Sequence, residues 1–320
     1  MVADGVRYAY HLEVSDSEIL CETLHSYPER RRRVLFQRVG ADIEFRRGLG
    51  GLAGTRELLT PTTLALSAAM RANHPEIQPF GRQLSGIAVR GVRPTRVRGL
   101  DGLRVPWPVT HTQWLFETGG LPQRVPLLDG IGQASRSDRD LALALLQFAD
   151  LGIDAVEVVH DEEDRVQLIH KVGGQDLSFE LSEESAGTQT WFTLIGPVLD
   201  ALRHGRILLS DEIDASLHPK LSTRLLELFQ DPATNPQGAQ LIFTTHDTSL
   251  LNHLNRDEVW LTEKGTDGAT TLTALAEYGG DKVRRSLNLE KAYLQGRFGA
   301  VPEFDQVALR RALGAIASDA

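Results

Sequence analysis

Cysteine is almost missing from this 320-residue sequence, where Cys21 stands alone. That excludes a disulfide framework and any zinc site built on thiolates. The lone thiol has the ordinary role of a small, partly buried hydrophobe. No apolar run approaches the roughly 18 residues that a membrane span needs. The opening MVADGVRYAYHLEV has neither the basic start nor the apolar stretch of a signal peptide. Together these absences predict a cytoplasmic protein with no membrane partner. Lysine is scarce too, at Lys171, Lys220, Lys264, Lys282 and Lys291 only. A GC-rich genome produces such an Arg-for-Lys bias without any selected chemistry, so abundant arginine is weak support for nucleic-acid binding. Internal repeats, low-complexity segments and an H-E-x-x-H pattern are absent, and the ten histidines are scattered.

What is present reads as a soluble globular composition, with 41% hydrophobic and 24% charged residues. The length predicts two domains, or one large α/β domain with an insertion. The net charge of -9 is unevenly spread: residues 1–110 carry 16 Arg against 11 acids, and the rest carry 18 basic and 32 acidic residues. A basic first lobe and an acidic second one follow from that split.

The first sixty residues read as antiparallel strands. Val6, Tyr8, Tyr10, Leu12 and Val14 alternate with Arg7, Ala9, His11 and Glu13, the period-two pattern of a half-buried strand. Further strands are expected at Ile19–His25, Arg33–Val39 and Asp42–Arg46. Thr60-Pro61 signals a helix start for Thr62–Ala72, and a second helix is expected over Ile77–Val89. Residues 91–134, rich in Gly and Pro, read as a loop-rich excursion. The six arginines between Arg82 and Arg104 are expected to serve structure or partner docking. Ser135 is expected to cap a helix running to Asp150. DAVEVVHDEEDRVQLIHKV reads as two strands about an acidic turn, HDEED (160–164). That turn reads as solvated, in preference to a Ca²⁺ loop. Beyond Ser182, helices and apolar runs alternate: a helix over Gly187–Arg203, strand Ile207–Leu209, helix Pro219–Gln230 and strand Gln240–Thr245. Strands near Glu258–Thr262 and Ala269–Leu275 follow. The alternation predicts a mostly parallel sheet covered on both faces.

RILLSDEIDASLHP (206–219) is the most informative stretch. An apolar strand leads into Asp211 and Glu212, paired carboxylates at the strand end where open α/β sheets place their ligands. Taken alone, a strand ending in acids is commonplace. Upstream, LSEESAGTQ (181–189) puts Ser185, Gly187 and Gln189 at the start of a helix, where unpaired N–H groups and the helix dipole attract anions. A plain cap by Ser185 accounts for the same residues. Downstream, LIFTTHD (241–247) is a second apolar strand ending at His246.

In combination these motifs resemble the second half of an ATP-binding-cassette ATPase head. Ser185-Ala186-Gly187-Thr188-Gln189 resembles the signature motif, ILLSDE the Walker B strand, Ser216-Leu217-His218-Pro219 the D-loop and Thr245-His246-Asp247 the switch histidine. DEIDASLHP with TTHD is similar to SMC-like and OLD-like ATPases. More narrowly, SYPERRRRVLFQR, LTPTTLALSAAMRANHP and LNLEKAYLQGRFGAVPEFD resemble the AAA-type ATP-binding proteins of bacterial abortive infection. The resemblance implies a P-loop NTPase α/β fold with an antiparallel β-lobe (1–60), a helical insertion (61–150) and a core half (151–320). It implies ATP and Mg²⁺ as ligands, with Asp211 on the metal, Glu212 as general base and His246 at the γ-phosphate. Ser185, Gly187 and Gln189 would serve the nucleotide of a second copy in a homodimer. It further implies a defence effector as partner. The family's G-x-x-x-x-G-K-[ST] phosphate loop (Walker A) does not occur here, so weak or no turnover is expected. A pseudo-ATPase that serves as a dimerisation or regulatory module is the competing expectation. A third, an SMC-type DNA-binding protein, lacks a heptad segment and has the wrong overall charge.

Overall fold

The computed structural model describes residues 1–46, 54, 56–72, 74–90, 107–117, 136–150, 152–160, 164–265, 267–278, 288–301 and 309–311. The chain divides into two compact units. One comprises Met1–Val89, Asp200–Leu209 and Gln237–Gln240; the other comprises Arg90–Leu199, Ser210–Pro236 and Leu241–Ala320.

The first unit opens with β1 (Val2–Ala3), β2 (Val6–Val14), β3 (Ile19–Tyr27), β4 (Arg33–Val39) and β5 (Asp42–Phe45), which pair in chain order as an antiparallel sheet. Tyr8, Leu24, Leu35, Phe36 and Ile43 bury one side of it against α1 (Ala65–Arg71) and α2 (Gln78–Ser85). The alternation expected in β2 is only half used: Tyr8 is buried, whereas Leu12 and Val14 are exposed. Helix α1 starts later than Thr60-Pro61 predicts, because its cap comes from the sheet. Leu64 stands at the N-cap with no side-chain bond of its own. Glu22, fully buried on β3, accepts the Ala65 and Leu66 N–H groups at 2.6 and 2.8 Å. Tyr10 donates its hydroxyl to the same carboxylate at 2.9 Å. Burial, then the charge and hydrogen bond of Glu22, hold the Tyr10 hydroxyl far above its ordinary pKa, so it remains a donor. Opposite Glu22 on β4, Arg38 is buried as well and donates to the carbonyls of Gly40, Thr60 and Thr63. This cross-strand pair therefore fixes the approach to α1 from both sides. Gly86 closes α2, and a short strand, β6 (Ala88–Arg90), follows where a longer helix was expected.

The second unit contains α3 (Trp107–Phe116), α4 (Arg136–Ala149), the antiparallel strands β7 (Ile153–Val159), β8 (Arg165–Val172) and β9 (Gln175–Glu180), and most of α5 (Ala186–His204). Helix α3 falls inside the excursion read as loop; Ser135 and most of the arginine-rich stretch lie outside the described residues. Trp191 of α5 donates its indole N–H to the Leu145 carbonyl of α4 at 2.7 Å, and Phe192 stacks on Phe116 of α3. At Gly196, α5 approaches α3 so closely that its N–H donates to the Thr112 hydroxyl at 2.8 Å.

Strand β10 (Ile207–Ser210) lies between β6 and β11 (Gln240–Phe243). Donors and acceptors advance together, from Gln240 N on Arg206 O to Thr244 N on Ser210 O, as in a parallel pair. Helix α6 (Pro219–Gln230) connects them, with the span expected and with His218 as its cap through Nδ1. The remaining strands correct the mostly parallel expectation. Strands β12 (Trp260–Lys264) and β13 (Thr270–Ala274) form a separate antiparallel hairpin. The hairpin joins α7 (Leu289–Leu294) in a small core of Val259, Leu275, Ala292 and Phe298. Among the described residues antiparallel pairing predominates, within an α/β chain.

Candidate nucleotide site at the ends of β10 and β11

A parallel pair ends both strands at one edge, which brings the segments after β10 and β11 together. There the backbone turns sharply. Glu212 and Ser216 both take left-handed φ values, 48° and 63°, a conformation that favours glycine and is uncommon in acids and hydroxyl residues.

Two adjacent threonines hold this turn. The Glu212 N–H donates to the Thr244 hydroxyl at 2.8 Å, and that hydroxyl donates to Asp211 Oδ1 at 2.6 Å. The Thr245 hydroxyl donates to Asp214 Oδ1 at 2.7 Å and accepts the Asp247 N–H at 3.0 Å. Asp214 Oδ1 also accepts the His246 N–H at 3.3 Å. The main chain of His246 is thus tied to the loop that carries Asp211 and Glu212. Asp247 accepts the Ser249 N–H through Oδ1, while its Oδ2 is buried and meets no donor among the described residues. Asp211, Glu212 and His246 remain exposed.

Ser185 and Gly187 occupy the start of α5. The Ser185 hydroxyl accepts the Thr188 N–H at 3.1 Å, as a capping serine does. Gln189 turns back to the Ser182 and Glu184 carbonyls. Ser185 is exposed. Gly187, however, lies beside the loop after β10: a Cβ there would come within 2.9 Å of the Ser216 carbonyl oxygen. The start of α5 therefore lies against Ser216, four positions after Glu212 in the same chain.

Asp214, Thr244 and Thr245 are the residues whose roles sequence reasoning missed. The signal was the repeated Asp in DEIDA and the doubled threonine before His246, and only the pairing of β10 with β11 assigns one threonine to each acid. Asp211 and Glu212 offer exposed, adjacent hard-oxygen donors, a set that fits Mg²⁺.

Residues 123–252 match the family described as "AAA domain, putative AbiEii toxin, Type IV TA system". The match covers less than half of the chain, yet it holds Ser185–Gln189, Asp211, Glu212, Ser216–Pro219 and Thr245–Asp247. It supports an AAA-type ATPase-like domain of the α/β P-loop NTPase class, a class that generally binds ATP with Mg²⁺. No curated protein matches the chain.

We expect Asp214→Ala to release His246 without unfolding the second unit. Hydrogen exchange at residues 244–247 should quicken roughly tenfold or more, as for a lost charge-assisted bond, with α6 unchanged. Equal loosening of α6 would show that Asp214 acts through general stability.

Proposed function

We propose that the chain works as an ABC-type ATPase head, a nucleotide-driven dimer switch in a bacterial abortive-infection or toxin–antitoxin setting. The observation that carries this reading is the hydrogen-bonded union of Asp211 and Glu212 with Thr244–His246 at one end of a parallel strand pair. In this reading Glu212 takes the proton of the attacking water, and Asp211 holds Mg²⁺. The ion neutralises phosphate charge when bound. His246 contacts the γ-phosphate and passes its presence to Asp214 through the main chain. Ser185, Gly187 and Gln189 present the start of α5 to the nucleotide held by a second copy. The matched family's description supports the toxin–antitoxin setting.

A second reading has its own observation: no G-x-x-x-x-G-K-[ST] occurs in the 320 residues. Without that lysine and its N–H cradle, little compensates a triphosphate's charge. We expect ATP turnover by this chain to stay near background. Turnover abolished by Glu212→Gln would instead reveal a substitute phosphate site.

Sedimentation with and without ATP–Mg²⁺ separates the readings. A dimer that forms only with nucleotide and is lost in Ser185→Arg supports the switch. A dimer indifferent to nucleotide supports a regulatory module. A monomer under all conditions overturns both.

A further inference from the structure

The acidic turn HDEED, which reads as solvated in the sequence, gains a third member from another element. His160 directly follows β7 and Asp164 directly precedes β8, with Nδ1 and Oδ1 2.8 Å apart. Strand register explains the meeting, since Val159 pairs with Arg165 at the end of the hairpin. Glu117, the residue after α3, completes the group: one donor atom from each residue lies within 4.8 Å of the other two. No other triplet of His, Cys, Asp or Glu meets that spacing among the described residues.

Glu117 is oriented from behind. Gln113, one turn earlier on α3 and 6% exposed, donates Nε2 to Glu117 Oε1 at 3.0 Å. Helix α3 is fixed in turn by the Thr112–Gly196 bond to α5. A buried amide that aims a carboxylate at an imidazole is the kind of outer support that metal ligands carry. The donors also discriminate among cations. Ca²⁺ and Mg²⁺ favour all-oxygen sites, whereas one imidazole nitrogen with two carboxylates suits Zn²⁺ and its transition-metal neighbours. Two acids beside one imidazole leave the group negative whether or not the ring is protonated, and its exposure leaves room for water ligands.

We propose that Glu117, His160 and Asp164 bind one divalent transition-metal ion of the zinc type, which clamps the end of α3 to the β7–β8 hairpin. The site shares no residue with the Asp211–Glu212 loop and does not depend on the nucleotide reading.

Calorimetric titration of the full chain with Zn²⁺ tests it. We expect one site per chain, weakened roughly tenfold or more in His160→Ala and in Asp164→Asn, and weakened in Gln113→Ala by a factor typical of outer-shell ligands, about ten. Millimolar Ca²⁺ or Mg²⁺ should not displace the ion. Zn²⁺ should also raise the Tm of the wild type and leave that of His160→Ala unmoved. No binding at submillimolar Zn²⁺, binding undiminished in the variants, or displacement by Ca²⁺ would each overturn the proposal.

Discussion

Glu22→Ala should be the most damaging single substitution in the first unit. We expect a loss of about 3–5 kcal/mol, since each buried donor left without its acceptor costs about 1–3 kcal/mol. Three donors lose their acceptor at once: the Tyr10 hydroxyl and the Ala65 and Leu66 N–H groups. Two of these lie at the start of α1, where no local side chain replaces the cap. Glu22→Gln keeps the shape but turns an amide N–H₂ toward donors, so it should recover only part of the loss. Equilibrium unfolding gives the magnitude, and hydrogen exchange should show α1 opening first. A Glu22→Ala protein within about 1 kcal/mol of wild type, less than a typical charged hydrogen bond, would refute the capping role.

Gly196→Val should have the second largest effect, about 3 kcal/mol or more, because overpacking here meets main chain and not a movable side chain. A Cβ at Gly196 would sit 2.7 Å from Thr112 N and 2.8 Å from His111 C. The new side chain must push α3 from α5, which breaks the Gly196–Thr112 bond and leaves a buried hydroxyl unpaired. The next residue, Pro197, has no N–H to contribute, so the helix is already short of a rung there. Fluorescence of Trp191, packed one turn away, should report a lower urea midpoint. The same substitution at exposed Gly54, where a Cβ meets nothing within 4 Å and φ is not positive, is the control.

Local signals read well where the cause was local. Strand β4 and helix α6 have the predicted bounds, set by alternation in one and by His218-Pro219 at the start of the other. Where the cause was distant, the sequence misled. The start of α1 depends on Glu22, 43 positions away, and no window around Thr60 contains that information. Gly86 cut α2 short and made room for β6, a strand too short to show a period. The strands after β11 alternate as well in an antiparallel hairpin as in a parallel sheet, so their partners could not be chosen. The site followed the same division. Asp211, Glu212 and His246 were legible as motif residues, whereas Asp214, Thr244 and Thr245 matter through contacts that exist only once two strands align. Glu117 was invisible beside HDEED for the same reason.

The two threonines have a consequence for how this part of the molecule forms. Strands β10 and β11 are four residues each, too short for their own ladder to enforce one alignment strongly. Thr244 meets Asp211 and Thr245 meets Asp214 only when β11 lies in its present frame beside β10. A slip by one position would turn each hydroxyl away from its acid and leave the carboxylates to solvent. The threonine–aspartate contacts thus favour one strand alignment over its neighbours, so that the register of the pair and the shape of the loop come together.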